Sequence, residues 1–315
     1  MHVRISIMFL YREIKLLIEV LKQDALTLKY LSFIRPDGQA TIGKIEGKLT
    51  GDVENNEVTE LLAENSHVTD LKSALKNNSL HQLIEGSSYS LNEIRFLPLI
   101  PNPGKILCVG LNYKTHIEET GLGKDASYPV IFTRFADTLV AHGEPIIQPL
   151  ASTKLDYEGE LAIVISKGGR AIPEQDAFDH IAGYSCFNDA SVRDWQRHAS
   201  QYTPGKNFPA TGGFGPWLVT PDEIDNLQDQ HVTTKLNSEK VQDQPISDLI
   251  FSIPFLINYI SSFTPLLPGD VIVTGTPGGV GGARKPPLWM KPGDTVKVSV
   301  GEIGTLINSI QTEQQ

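Results

Sequence analysis

Cysteine is nearly absent from this sequence: only Cys108 and Cys186 occur in 315 residues, each inside an apolar segment. That excludes a disulfide framework and leaves too few thiolates for a structural zinc site. Both read as reduced core residues of an intracellular protein. Basic residues are in deficit, 27 Lys plus Arg against 37 Asp plus Glu, giving a formal net charge of −10. Nucleic-acid surfaces need a basic footprint, so no nucleic-acid partner is expected. Long apolar runs are missing too. The N-terminal stretch at residues 5–11 is broken by Arg12 and Glu13 and has no small-residue cleavage site after it. It is too short to cross a bilayer. Neither a secretory signal nor membrane contact is expected, which places the protein in the cytoplasm. What is present, 40% hydrophobic and 20% charged residues, suits a soluble globular protein of one large domain, or one large and one small.

Residues 1–25 read as an N-terminal extension in which Leu16, Leu17, Val20 and Leu21 have helical spacing. Residues 26–95 read as a small α/β module. Two strand-like runs flank the turn Pro36-Asp37-Gly38, and apolar residues recur at helical intervals over 59–63 and 68–83. A proline-rich linker at 96–104 marks a boundary, because proline sets extended backbone and excludes helix. Residues 96–315 then read as one β-rich domain. Strands are expected at 105–110, 128–135, 161–165 and 181–190, a short helix at 111–120 and a Gly/Pro loop at 204–217. The glycines at 278–281 form neither a phosphate loop nor a dinucleotide fingerprint, lacking Gly-Lys-Ser/Thr and a following helix.

Asp156, Glu158 and Glu160 enter the apolar run 161–165 at alternate positions. On a strand, residues two apart share a face, and carboxylates so crowded repel one another unless solvated or partnered. Either the strand entrance is wet or a cation binds. Asp189, at the end of the 181–190 run, closes on Glu158 and Glu160 if the two strands pair. Three carboxylates without Cys or His favour a hard cation completed by water, Mg²⁺ or Mn²⁺, with Ca²⁺ a further candidate. His116 and Glu119 are neighbours on a helical turn. They form either an exposed ion pair or a general base whose tautomer the carboxylate fixes. Arg193 and Gln196 share a face of a helix that Ser191 would cap; that face is solvated or orients a substrate carboxylate. Lys206 is a surface lysine or the cation facing an enolate. Arg134, interrupting an apolar run, reaches solvent or meets an anion.

The ordered set of segments resembles the fumarylacetoacetate hydrolase superfamily from about residue 105 to 310. It comprises Val109-Gly110-Leu111-Asn112-Tyr113 with His116, the Asp156-Tyr157-Glu158-Gly159-Glu160-Leu161-Ala162 strand, and Asn188-Asp189-Ala190-Ser191-Val192-Arg193-Asp194. Gly205-Lys206-Asn207-Phe208, Gly215-Pro216-Trp217, Pro268-Gly269-Asp270 and Thr274-Gly275-Thr276-Pro277 follow. The resemblance implies an α+β, β-rich fold with a mixed β-sheet roll or barrel and short helices, assembled as a homodimer. It implies a divalent metal on Glu158, Glu160 and Asp189, an acid/base dyad of His116 and Glu119, and Lys206 at the reacting centre. Arg193, Gln196, Thr276 and, on a looser match, Arg134 would contact substrate. Residues 207–213 depart from the family pattern, which bears on substrate preference. The expected activity is hydrolytic C–C cleavage of a 2-oxo or 1,3-diketo acid. The alternatives are decarboxylation or isomerisation of aromatic-degradation diacids or oxaloacetate, and a non-catalytic module in which the metal only stabilises the dimer.

Overall fold

The computed structural model describes residues 28–47, 56–63, 68–122 and 127–314, so the helix expected around Leu16 to Leu21 lies outside the described residues. The apolar run that follows the acids forms the strand Gly159–Ile165, in which every residue is buried. Leu161, Ile163 and Ile165 point into one core cluster, and Ala162 and Val164 into another on the opposite face. Burial on both faces explains why the run is continuously apolar rather than alternating.

This strand lies within a twelve-stranded sheet. From one edge the order is Ile84–Ser90, Glu57–Leu62, Ala40–Glu46, Leu28–Ile34, Gly212–Val219, Ile181–Asp189, Gly159–Ile165, Val271–Val273, Ile106–Gly110 and Val130–Arg134. Among the described residues the path never returns to its first strand, so the sheet is open and mixed, not a closed barrel. A second sheet of five strands includes His231–Leu236, Glu239–Pro245 and Thr295–Val300. Its Val232, Val298 and Val300 share a core with Leu161 and Ile163, as do Leu256, Ile257 and Ile260 of the helix Ile253–Phe263. The fold is α+β and strand-rich, with short helices.

Three local expectations need correction. Residues 57–62 form a strand, not the start of a helix: Val58, Leu61 and Leu62 have helical spacing, yet cross-strand pairing with Ala40–Glu46 and Ile84–Ser90 decides the conformation. The stretch 96–104 is no free linker, since Leu99 and Ile100 are fully buried and the Ser32 hydroxyl donates to the Leu99 carbonyl at 2.8 Å. Nor does it separate two sheets. Leu28–Ile34 pairs directly with Gly212–Val219, so the N-terminal strands extend the main sheet.

The second sheet approaches the first most closely where the buried strand begins. A Cβ at Gly159 would lie 2.1 Å from Thr234 Oγ1 and 3.2 Å from Val298 Cγ1, so the buried side chains of the second sheet must repack to admit it. Gly159→Ala is therefore expected to destabilise the protein by about 1–3 kcal/mol, the usual range for overpacking a core. Urea unfolding measures this directly, and a change within about 0.5 kcal/mol, the range of inconsequential surface substitutions, would contradict the packing described.

Candidate functional site

The acids do not all share one strand face. Leu155–Asp156 pairs with Ser191–Val192, whereas Gly159–Ile165 pairs with Ile181–Asp189, and the chain changes course at Tyr157 and Glu158. Asp156 is thereby directed elsewhere. Its fully buried carboxylate accepts from the Gly281 and Gly282 amides, both at 2.8 Å, and from Arg193 Nε at 2.7 Å. Glu158 and Asp189 are tied across the strands by Asp189 N–H donating to the Glu158 carbonyl at 2.8 Å, and Glu158 N–H to Asn188 Oδ1 at 3.0 Å. One oxygen each from Glu158, Glu160 and Asp189 lies within 4.8 Å of the others, and all three residues are buried. Glu160 accepts the Gly275 amide at 2.5 Å. Gly275 reaches that position with φ +110°, and a Cβ there would stand 2.8 Å from Asn112 Cβ, so glycine is required.

Cations flank this cluster. Lys206, 1% exposed, places Nζ 2.5 Å from both Glu158 Oε2 and Asp189 Oδ2, and 4.9 Å from the Phe132 ring centre. It ends the helical turn Thr203–Lys206, with strand resuming at Gly212, so the expected Gly/Pro loop is shorter than 204–217. Arg193 Nη1 meets Glu158 at 2.6 Å and Gln196 Oε1 at 3.0 Å, while its Nη2 is buried with no partner. Arg193 opens the helix Arg193–Gln196 without a side-chain cap, because the Ser191 hydroxyl donates to the Asp189 carbonyl instead. Arg134 donates to the Asp189 carboxylate, the Ala190 carbonyl and Thr211 Oγ1 with no exposed side-chain surface. It fixes Asp189 from behind and is absent from the cavity lining, contrary to the substrate contact expected of it.

These charges set opposite proton affinities on adjacent acids. Burial alone would raise Glu158, but Arg193 and Lys206 outweigh it and hold the carboxyl down at about 2. Burial, then the charges of Asp189 and Glu158, push Glu160 well above the usual carboxylate range. Burial opposes charge on Lys206 as well, yet Asp189 and Glu158 prevail and raise it. Burial likewise raises Asp156, with Arg193 opposing.

A cavity of about 310 Å³ opens over the cluster, lined by Glu158, Glu160, Arg193, Gln196, Lys206, Thr276, His116 and Glu119 among others. His116 sits on the helix Lys114–Thr120, 7% exposed, with Nδ1 2.7 Å from Glu119 Oε1. Glu119 Oε2 accepts the Gly279 amide at 2.8 Å. The glycine loop is thus held on one side by Glu119 and on the other by Asp156. The Thr276 hydroxyl donates to the Gly159 carbonyl at 3.0 Å and accepts from Gln242 Nε2 at 2.8 Å. Gln242 also donates to the Pro277 carbonyl and accepts the Gly159 amide, at 2.8 and 3.0 Å. Gln242 was invisible as a site residue in the sequence, being a single amide without any spacing signal, and Asn112 and Asn188 stood in the resembling motifs with no role assigned to them. The one available clue to Asp156's separate role was the break in apolar pattern at Tyr157-Glu158-Gly159.

The donor set fits a hard divalent ion. It is all oxygen, and Glu160 has no cationic partner among the described residues, only one amide donor. Binding must displace the proton that burial and the neighbouring carboxylates favour on Glu160, so metal affinity should fall as pH is lowered and binding should release protons. Calorimetry of Mg²⁺ or Mn²⁺ binding in buffers of different ionisation enthalpy reads this release. Glu160→Gln should abolish it and weaken binding by at least about tenfold, roughly 1.4 kcal/mol; affinity independent of pH would rule out a cation on these acids.

The fumarylacetoacetate (FAA) hydrolase C-terminal family profile matches residues 105–311. The chain is 40% identical over 241 residues to oxaloacetate tautomerase fahd2, mitochondrial, of Xenopus laevis, covering 76% of this chain and 73% of that protein. It is 41% identical over 225 residues to oxaloacetate tautomerase YisK of Bacillus subtilis, covering 70% of this chain and 75% of that protein. The solved structure of 2-hydroxyhepta-2,4-diene-1,7-dioate isomerase from Mycobacterium marinum superposes with TM-score 0.74 at 31% identity, over 92% of this chain and all of that one. The expectation of hydrolytic C–C cleavage is corrected by these relatives, which are tautomerases and an isomerase. By sequence and by fold, the chain is an enzyme and belongs to the fumarylacetoacetate hydrolase family.

Proposed function

We infer that the protein interconverts the keto and enol forms of a 2-oxo dicarboxylic acid of the oxaloacetate class. The carrying observation is that the His116–Glu119 dyad lines the same cavity as Glu158 and Glu160, two acids of the oxygen-only cluster that Asp189 completes from beneath the lining. Tautomerisation asks for that pairing: a base at carbon and positive charge at the oxygen where electrons collect. The tautomerase relatives support it.

Glu119 occupies His116 Nδ1, so proton exchange falls to Nε2. In the enolising direction Nε2 takes a proton from C3, the C–H electron pair forms the C2–C3 double bond, and the C2 oxygen takes up the carbonyl electrons. Returning a proton to that oxygen completes the enol, and the reverse sequence gives the ketone. Glu119 steadies the imidazolium formed in between. Lys206, charged and desolvated, offsets the negative charge growing on oxygen. Arg193 Nη2, buried without a partner, is the donor available to a substrate carboxylate, with Gln196 and Thr276 completing the lining. A Mg²⁺ or Mn²⁺ ion, or Ca²⁺, held by Glu158, Glu160 and Asp189 would polarise the 2-oxo group as a Lewis acid. The reading extends to a homodimer in the cytoplasm. Exposed Tyr128, Phe263 and Leu267 support the dimer, and no helix among the described residues is long and apolar enough to cross a membrane.

His116→Asn is expected to lower kcat for oxaloacetate enol–keto conversion by about 10²–10⁴-fold, the usual range for loss of a general base. Oxalate should still bind the metal-loaded variant. The decay of enol absorbance measures the rate, and wild-type turnover in the variant would remove the dyad from the mechanism.

A further inference from the structure

We propose that Arg197 is the specificity-determining residue that holds the distal carboxylate of a dianionic substrate, so that the enzyme selects 2-oxo diacids over 2-oxo monoacids. This rests on the tautomerase reading of the site and adds a residue to it. Arg197 follows the helix Arg193–Gln196 directly and lines the cavity. The other cations of the lining are engaged: Arg193 with Asp156, Glu158 and Gln196, and Lys206 with Glu158 and Asp189. Arg197 is exposed, and while its backbone N–H donates to the Trp195 carbonyl, its side chain makes no hydrogen bond or ion pair with the described residues. Apart from Arg193 Nη2, already assigned to the carboxylate at the reacting end, its guanidinium is the cationic group of the lining left free to meet an anion.

Its backbone is held firmly. Trp195, two residues earlier, packs edge-on against Phe208 with ring centres 5.2 Å apart. Gly205 lies against Gln196 so closely that a Cβ there would stand 2.4 Å from the Gln196 backbone. Arg193 and Arg197 are four apart, which on a helical turn places them on one face with Cβ atoms about 5–6 Å apart. One is buried over the acid cluster and the other is exposed at the cavity's outer side. With Arg193 at the reacting end and Arg197 in the same lining, a 2-oxo acid whose first carboxylate meets Arg193 has a second cation within the cavity for its distal carboxylate. A guanidinium suits the task, since its planar fork matches a carboxylate bidentately.

The test compares kcat/KM for oxaloacetate with that for 2-oxobutanoate, read as exchange of C3 hydrogen, in the Mn²⁺-loaded wild type and Arg197→Gln. The diacid-to-monoacid ratio should fall at least about tenfold in the variant, equivalent to about 1.4 kcal/mol, mainly through KM for the diacid. A ratio that does not change overturns the proposal, whether both rates fall together or neither moves. Calorimetric binding of the two acids, comparing Mn²⁺-loaded His116→Asn with His116→Asn/Arg197→Gln, separates the two claims. Failure of the wild type to turn over either acid would reject the tautomerase reading. Arg197 would still be judged by whether its loss weakens diacid binding selectively.

Discussion

Negative charge withheld from water is the constraint on which the rest of this molecule depends. Glu158, Glu160, Asp189 and Asp156 are all buried, at or beside the ends of interior strands, the first of which, Gly159–Ile165, is buried along its whole length. Each buried ion costs several kcal/mol unless partnered. Arg193, Lys206 and Arg134 supply partners to three of the four acids. Glu160 makes no ion pair among the described residues and has a single amide donor, an imbalance that suits the cluster to a hard cation better than to a closed ion-pair network.

The same constraint explains the scaffolding around it. The glycine loop after Thr276 spans the cavity between Asp156 and Glu119, turning backbone amides towards both carboxylates. Because Glu119 also contacts His116, and Asp156 also contacts Arg193, those two side chains are registered through one loop. Gln242, from the second sheet, fixes the start of that loop and the Gly159 amide together. Strand contact between the sheets is therefore part of the site's precision, since small displacements of a reacting group are costly in rate.

Much of the site was legible because its chemistry is local or ordered along the chain. His116 and Glu119 are helical neighbours, and Glu158, Glu160 and Asp189 were reached by supposing that two apolar runs pair, which they do. The supporting argument from alternation misled for Asp156, since pairing with Ser191–Val192 takes it out of the strand that carries Glu160. Arg134 shows the limit of composition: an arginine in an apolar strand does meet an anion, but the anion is Asp189 rather than substrate. Gln242 left no trace, and Asn188 stood in a resembling motif without a readable role, because both act through tertiary contact. The N-terminal strands were read as a separate module for the same reason, since pairing between Lys29 and Val219 spans most of the chain.

The central claim, that three acids from neighbouring strands grip one hard cation, is tested most directly by anomalous diffraction from crystals grown with Mn²⁺. The account predicts a single strong peak in bonding contact with carboxylate oxygens of Glu158, Glu160 and Asp189. A cluster without a peak, its acids satisfied by Lys206, Arg134 and Arg193 alone, would contradict it.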